Sequence, residues 1–185
     1  MKFHFTCLSL LFFTVSSFSK TQVVMETSKG DIVLELFDDK APITVKNFLV
    51  YVKEGFYNGT IFHRVINDFM IQGGGFTTNL KQKKTKDPIK NEASHKISND
   101  VGTIAMARTP DPNSATSQFF INVKTNTFLN YSSEANPSYT VFGKVKKGMP
   151  VVNTIKKVAT KRNGPLQNLP VENIIIKNMF VKKSE

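Results

Sequence analysis

The chain has 185 residues, of which 40% are hydrophobic and 21% are charged, and its formal net charge is +11. This composition is typical of one globular domain with its own core, and it excludes a disordered chain or a fibre. Sixteen phenylalanines and no tryptophan predict an aromatic core that needs few hydrogen-bond partners.

The N-terminal segment has the features of a secretory signal peptide. Lys2 gives a positive start, residues 5–15 are almost wholly apolar, and Ser17-Phe18-Ser19 supplies small residues where a signal peptidase cleaves. The apolar run is shorter than the roughly 20 residues of a spanning helix, which disfavours the alternative of an uncleaved anchor. We therefore expect residues 1–19 to be a signal peptide, residues 20–185 to form a single domain, and the mature protein to be periplasmic or secreted.

Cysteine content and charge narrow the possible partners. Cys7 is the single cysteine and lies in the signal segment, so the mature chain can form no disulfide and no thiolate metal site. Removal of residues 1–19 takes away one lysine and no acid, which lowers the net charge from +11 to +10. That charge could attract nucleic acid or an anionic membrane. Because the lysines are scattered, apart from a cluster between residues 81 and 86, we expect a solvated surface, no specific nucleic acid and no membrane after signal removal.

The first elements are a hairpin and a helix. Strand composition at residues 22–27 and 31–37, with Ser28-Lys29-Gly30 between them, predicts two antiparallel strands. Pro42 then begins a helix in which apolar residues recur at helical spacing, and Gly55 ends it. The apolar face of this helix must cover another element, most simply one end of a sheet.

The next stretch combines a cation, an amide and large apolar side chains. A turn at Asn67-Asp68 between two strand-like runs would bring Arg64 close to Met70 and Gln72. The glycines at residues 73–75 would let the backbone turn sharply or approach a ligand closely, because glycine has no Cβ.

The remainder predicts more short strands and one more helix. A polar stretch over residues 77–100 reads as a long surface excursion. Strands are predicted at residues 102–107, 118–123 and 139–145, a helix from Pro150, then a loop rich in Gly, Pro and Asn, and a closing strand over 171–181 beside the first. Many short strands with two helices predict a closed antiparallel barrel plugged at its ends.

Three blocks of sequence invite comparison with a known family. They are Phe62-His63-Arg64-Val65 running to Phe69-Met70-Ile71-Gln72-Gly73-Gly74, Met106-Ala107-Arg108 with Ser117-Gln118-Phe119-Phe120-Ile121, and Val141-Phe142-Gly143-Lys144-Val145. Together they resemble the cyclophilins, the cyclosporin-type peptidyl-prolyl cis-trans isomerases. The resemblance covers residues 21–182 in order, and Asn91-Glu92-Ala93 is similar to the bacterial branch. It implies a mainly β fold, a closed eight-stranded antiparallel barrel capped by two α-helices, with the groove outside the barrel and no cofactor.

The resemblance also implies the site residues and the partners. Arg64 would be the catalytic cation and proline-containing peptide segments the substrate, and no metal is implied. The protein is expected to be a monomer. The implied substrate-binding residues are Phe69, Met70, Gln72, Ala107, Arg108, Gln118, Phe120, Phe128, Leu129 and Tyr139.

Isomerisation of an X-Pro bond suits this set because the reaction needs no nucleophile. Amide resonance gives a rotation barrier of about 18–20 kcal/mol, and in the twisted transition state the prolyl nitrogen regains a lone pair. A guanidinium aimed at that nitrogen would stabilise the transition state more than the planar ground state. His63 therefore has no proton to transfer and is expected to serve packing or hydrogen bonding.

Residue type alone leaves alternatives open. Arg64 could be an ordinary strand arginine in a solvated ion pair, and the pocket residues could be plain barrel core. Gln72 and Gln118 could merely satisfy buried backbone groups. A different class of function also remains, in which a chaperone or surface interaction protein uses the same groove to bind proline segments with incidental turnover.

Two residues depart from the better-known eukaryotic pattern. Phe128 stands where those members carry tryptophan, and Tyr139 where they carry histidine. Both side chains can line a groove, so we expect isomerase activity to survive. Cyclosporin binding is expected to be weak, because the indole N–H that would hydrogen-bond the drug is absent.

Overall fold

The computed structural model describes residues 20–94, 97–135 and 137–183. The expected signal peptide lies outside these residues. Within the described ranges, ten strands and two α-helices follow one another, together with one short 3-10 helix at Thr127–Leu129. In chain order they are β1 (Gln22–Thr27), β2 (Gly30–Leu36), α1 (Pro42–Lys53), β3 (Thr60–Ile66), β4 (Met70–Thr77), β5 (Thr103–Met106), β6 (Phe119–Asn122), β7 (Val141–Lys147), α2 (Met149–Ile155), β8 (Thr160–Asn163), β9 (Leu166–Pro170) and β10 (Ile175–Val181).

Eight of the strands close into an antiparallel barrel, which confirms the expected fold class. Their order around the barrel is β1-β10-β3-β4-β6-β5-β7-β2, so that β10 joins the first strand to the third. Closure pairs both sides of every barrel strand and leaves no open edge. The first hairpin is confirmed, and in it Thr27 pairs with Gly30 and Gln22 with Glu35.

The barrel interior is filled by aromatic and aliphatic side chains, and α1 covers one end. Phe48 of α1 is fully buried and contacts the rings of Tyr57, Phe119 and Phe142 at centroid distances of 5.3, 5.8 and 5.0 Å. Proline in the first turn starts α1 without a lost hydrogen bond, and Gly55, at φ 65°, follows its last turn as expected. Among the described residues, no helix is long and apolar enough to span a membrane.

The segment expected to be a loop before the closing strand is instead a hairpin. β8 and β9 pair with each other in a separate two-stranded sheet, with Thr160 opposite Pro170. All four residues of β8 are exposed, so this strand has no alternation of buried and exposed positions. β8 is held by backbone hydrogen bonds to β9, and the pattern of its side chains does not predict this pairing.

Candidate active site

The outer face of four neighbouring strands, β4, β6, β5 and β7, forms a second hydrophobic cluster, separate from the barrel core. Successive side chains of a strand point to opposite faces. In β4 and β6, therefore, Ile71 and Phe119 enter the core, while Met70 and Phe120 face outward. The outward cluster also contains Phe37, Ala105, Leu129 and Val141. The residues expected to bind proline therefore lie outside the barrel, and the alternative that they are its core is wrong.

A pocket of about 100 Å³ opens on this outward cluster. It is small and partly enclosed, with an apolar floor of buried Met70, Phe120 and Leu129. The structure brings together most of the residues expected at the substrate site. The lining residues are Arg64, Phe69, Met70, Gln72, Ala107, Arg108, Phe120, Leu129 and Tyr139.

Arg64 is held at one side of the pocket by neighbours on its own hairpin. The turn at Asn67-Asp68 places Arg64 directly opposite Gln72, and register shifts on β3 on either side of Phe62 mark a locally irregular strand. Nη1 of Arg64 donates a long hydrogen bond of 3.4 Å to Oε1 of Gln72. The guanidinium carbon also lies 5.9 Å from the centre of the Phe69 ring, within cation–π range. These contacts orient the charge beside the apolar floor.

Arg64 has no acidic partner in the part of the chain that the structure describes. The four ion pairs found there join Glu35 to three lysines and Glu54 to Lys86. The alternative that Arg64 is a strand arginine in a solvated ion pair with another described residue is therefore wrong. An unpaired, half-buried guanidinium retains its full charge for a ligand.

Gln118 lies outside the pocket lining and supports it from behind. Nε2 of Gln72 donates to Oε1 of Gln118 at 3.0 Å, so Arg64, Gln72 and Gln118 form one chain of hydrogen bonds. Gln118 in turn packs on Gly75, where a Cβ would lie 2.6 Å from its Cγ. The close approach allowed by Gly75 is therefore to the protein's own glutamine.

The neighbouring glycine has a different neighbour. Gly74 has φ 81°, and a Cβ there would come within 3.0 Å of the rings of Tyr57 and Phe119. Gly73 is likewise packed against Phe62. The glycine run thus serves internal packing behind the site. These packing partners could not be predicted, because most of them are distant in the chain.

His63 is buried behind the same network. Its side chain is 4% exposed, and its ring lies 4.7 Å from that of Phe76. Burial lowers the pKa of His63 to about 4, against the opposing effects of hydrogen bonding to the Ile61 backbone and the Gln118 side chain. The imidazole is therefore neutral at physiological pH, which fits the expected packing role.

The rim of the pocket carries the two residues that depart from the eukaryotic pattern. Phe128 lies on the 3-10 helix, is 71% exposed, and stacks on Phe69 at a centroid distance of 5.6 Å. Tyr139 precedes β7, one residue before buried Thr140, and its ring meets Phe120 edge to face at 5.5 Å. The sequence placed Tyr139 inside the strand, whereas the structure starts that strand at Val141.

One supporting residue had no role in the sequence-based prediction. Asn91 donates from Nδ2 to the backbone oxygens of Pro112 and Ser138, and its Oδ1 accepts from Thr140. It thereby joins the polar excursion to the loop that follows Arg108 and to the loop of Ser138, which accepts a hydrogen bond from Arg108. The motif Asn91-Glu92-Ala93 was the only signal in the sequence that could have pointed to it.

Comparisons with known proteins agree with this architecture. The family model for cyclophilin type peptidyl-prolyl cis-trans isomerases matches residues 22–181. Peptidyl-prolyl cis-trans isomerase B of Escherichia coli is 61% identical over 149 residues, which cover 80% of this chain and 91% of the relative. A peptidyl-prolyl cis-trans isomerase of Acinetobacter baylyi is 57% identical over 159 residues, covering 86% and 84%.

A solved structure shares the fold. The cyclophilin type isomerase of Cryptosporidium parvum, crystallised in the presence of the dipeptide Ala-Pro, superposes with a TM-score of 0.74 at 29% identity and covers 88% of this chain and 99% of its own. The closed barrel with an external apolar pocket beside an arginine is thus that of a prolyl isomerase. The chain belongs to the cyclophilin family, is most similar to bacterial members among the relatives above, and is a peptidyl-prolyl cis-trans isomerase.

Proposed function

We propose that this isomerase accelerates X-Pro rotation in exported proteins, with Arg64 as its catalytic cation. The observation that carries the site assignment is an unpaired guanidinium, held by Gln72, at the edge of a small apolar pocket. The pocket would hold the proline ring as a fixed end against which the preceding residue rotates. That a solved cyclophilin was crystallised with Ala-Pro supports a proline-containing peptide as the ligand.

Arg64 would act on the transition state. As the amide twists, the prolyl nitrogen becomes pyramidal and gains a lone pair, which a guanidinium N–H can reach. The planar ground state accepts such a bond poorly, so the interaction lowers the barrier and not merely the energy of the bound substrate. The apolar floor of Met70, Phe120 and Leu129 excludes water, which strengthens the charge–dipole interaction.

The other expected residues would bind and orient the peptide. The backbone at Ala107 and Arg108 continues β5, and the amide of Ala107 is already paired with the carbonyl of Gln118. The remaining backbone groups there would hold the substrate chain as an added edge. Phe128 and Tyr139 would contact residues next to the proline.

A protease-coupled assay on a short X-Pro peptide tests this mechanism. Arg64→Ala should raise the barrier by about 3 kcal/mol, which is roughly a hundredfold loss of turnover, as for other preorganised donors. Peptide affinity should change little, because the pocket floor is intact. Arg162→Ala, which removes an exposed arginine from β8, is the matched control. Undiminished turnover in Arg64→Ala would contradict the proposed mechanism.

The same variant separates catalysis from the alternative function of a proline-segment chaperone. If the groove served only to hold proline segments, Arg64→Ala would change the suppression of client aggregation and any residual turnover by the same factor. If rotation is the function, refolding of a client limited by proline isomerisation should slow in the variant while peptide binding persists. The refolding half-time of such a client is the measurement.

Export is tested separately on the full-length chain. We expect expression in a bacterium to yield a mature protein in the periplasm or medium whose first residue is Lys20. N-terminal sequencing and cell fractionation measure this directly. A protein that retains Met1 and stays in the cytoplasm would overturn the export proposal and leave the isomerase assignment unaffected.

A further inference from the structure

A second arginine, Arg108, lines the same pocket as Arg64 and makes more hydrogen bonds with its surroundings. The guanidinium carbon of Arg108 lies 4.7 Å from the centre of the Tyr139 ring. Its Nε donates to the backbone oxygen of Ser138 at 2.8 Å, and its Nη1 donates to the oxygens of Thr109 and Pro110 at 2.9 and 3.2 Å. Stacking and three carbonyls fix this planar side chain in the pocket wall.

The charge of Arg108 is nevertheless not neutralised. Backbone carbonyls are uncharged acceptors, and no carboxylate within the described ranges lies within 4.0 Å of its nitrogens. None of the hydrogen bonds found between those residues uses Nη2 of Arg108. The guanidinium is half-buried and lines the pocket. It therefore presents a permanent charge and, at Nη2, a pair of N–H donors that no described residue uses, in a fixed orientation.

Two unpaired guanidinium groups thus line one small apolar pocket, Arg64 beside Phe69 and Arg108 on Tyr139. Like charges in a cleft with low-dielectric walls add to one field and favour an anionic ligand. A peptide bound with its proline in the pocket would carry its flanking side chains past the rim. A carboxylate there would meet the free donors of Arg108.

We propose that the Arg108 side chain gives this isomerase a preference for segments that carry an acidic residue next to the X-Pro pair. This proposal rests on the proposed function, because it assumes that proline occupies the pocket. It assigns to the side chain of Arg108 a selective role that is distinct from the backbone contact at the same residue. Catalysis remains with Arg64.

A purely structural role for Arg108 would use the same contacts. Its three carbonyl partners belong to two loops, and Ser138 has φ 61°, so the arginine could serve only to clamp those loops. Loss of a clamp would impair all peptides alike. Selection by charge would raise kcat/KM for an acidic peptide relative to its uncharged isostere. Loss of a clamp would leave this ratio of kcat/KM values unchanged.

The test uses matched X-Pro peptides that carry either Glu or Gln at one of two positions. These are the position immediately before the X-Pro pair and the position immediately after it. For the wild-type protein we expect kcat/KM to be roughly fivefold higher for Glu than for Gln at one of these positions, the size of an exposed ion pair. The ratio should decline as salt is raised. Arg108→Gln should bring the ratio to about one, and Arg162→Gln, which removes the same charge from β8, should keep it.

Arg108→Lys serves as the second variant, because it keeps a cation and can still donate to a carbonyl. It should retain a ratio between those of the wild type and Arg108→Gln. A wild-type ratio near one at every position, or a ratio that persists in Arg108→Gln, overturns the proposal. Failure of the wild-type protein to turn over the Gln peptides would instead overturn the proposed function, so the two are distinguishable.

Discussion

Gly75→Ala should weaken catalysis without touching the pocket. A Cβ at this position would lie 2.6 Å from Cγ, 2.7 Å from Cδ and 2.7 Å from Nε2 of Gln118, all of which are closer than real contacts allow. Because these atoms belong to a side chain and not to the backbone, the clash can be relieved by a rotation of Gln118 about its Cα–Cβ bond, which moves Cγ and the amide together. The variant should fold, with its glutamine displaced.

The displacement should reach Arg64 through one hydrogen bond. Moving Gln118 breaks the 3.0 Å bond from Gln72, which is then free to leave the 3.4 Å contact with Nη1 of Arg64. A neutral hydrogen bond of this kind contributes about 1 kcal/mol. If that energy serves to hold the guanidinium, kcat/KM in the protease-coupled assay should fall roughly fivefold.

A double-mutant cycle gives the sharpest form of the test. Gln118→Ala should produce the same loss, and adding Gly75→Ala to it should cost nothing further, because the clash no longer has a partner. Additive losses would mean that Gly75 acts through something other than Gln118. Full activity in both single variants would show that the hydrogen-bond chain does not position Arg64 and would refute the reasoning.

Two further predictions concern His63 and Phe128. Since the pKa of His63 is about 4 in the fold against 6.5 for an unperturbed histidine, the unfolded chain binds this proton more tightly. The contribution of His63 to the free energy of unfolding is therefore fully present above about pH 6.5. It falls by roughly 3 kcal/mol as the pH decreases towards 4. Urea unfolding of the wild type should thus depend more steeply on pH over this interval than that of His63→Gln, and parallel curves would contradict the burial argument. Phe128→Trp should strengthen cyclosporin binding about fivefold by supplying an indole N–H at the exposed rim, as measured by calorimetry; an unchanged Kd would mean that this N–H does not account for weak binding.

The sequence was sufficient for elements whose periodicity and turn chemistry agree. The hairpin of β1 and β2 and the helix α1 each combine an apolar pattern with a glycine or proline at its boundary, so their limits were predictable to within a residue or two. The hairpin of β8 and β9 was missed because β8 is wholly exposed and buries nothing that a pattern could reveal.

Most residues that line the pocket could be named from the sequence, but the residues that support them could not. Whether Met70 and Phe120 face the core or the surface depends on strand register, which residue type does not specify. The space beside Gly75 is occupied by Gln118, which is 43 positions away in the chain and becomes a neighbour only when the barrel closes. Such contacts between distant residues are the part that a single sequence does not contain.

The barrel wall between core and pocket is only one strand thick. Neighbours in the chain, Ile71 and Met70 in β4 and Phe119 and Phe120 in β6, belong to opposite sides of this wall, the first of each pair in the core and the second in the outward cluster. A single-residue deletion in β4 or β6 would exchange the two compartments at once. A substitution at an outward position, by contrast, removes no side chain from the barrel core, so the surface of the pocket can change one residue at a time while the architecture stays fixed.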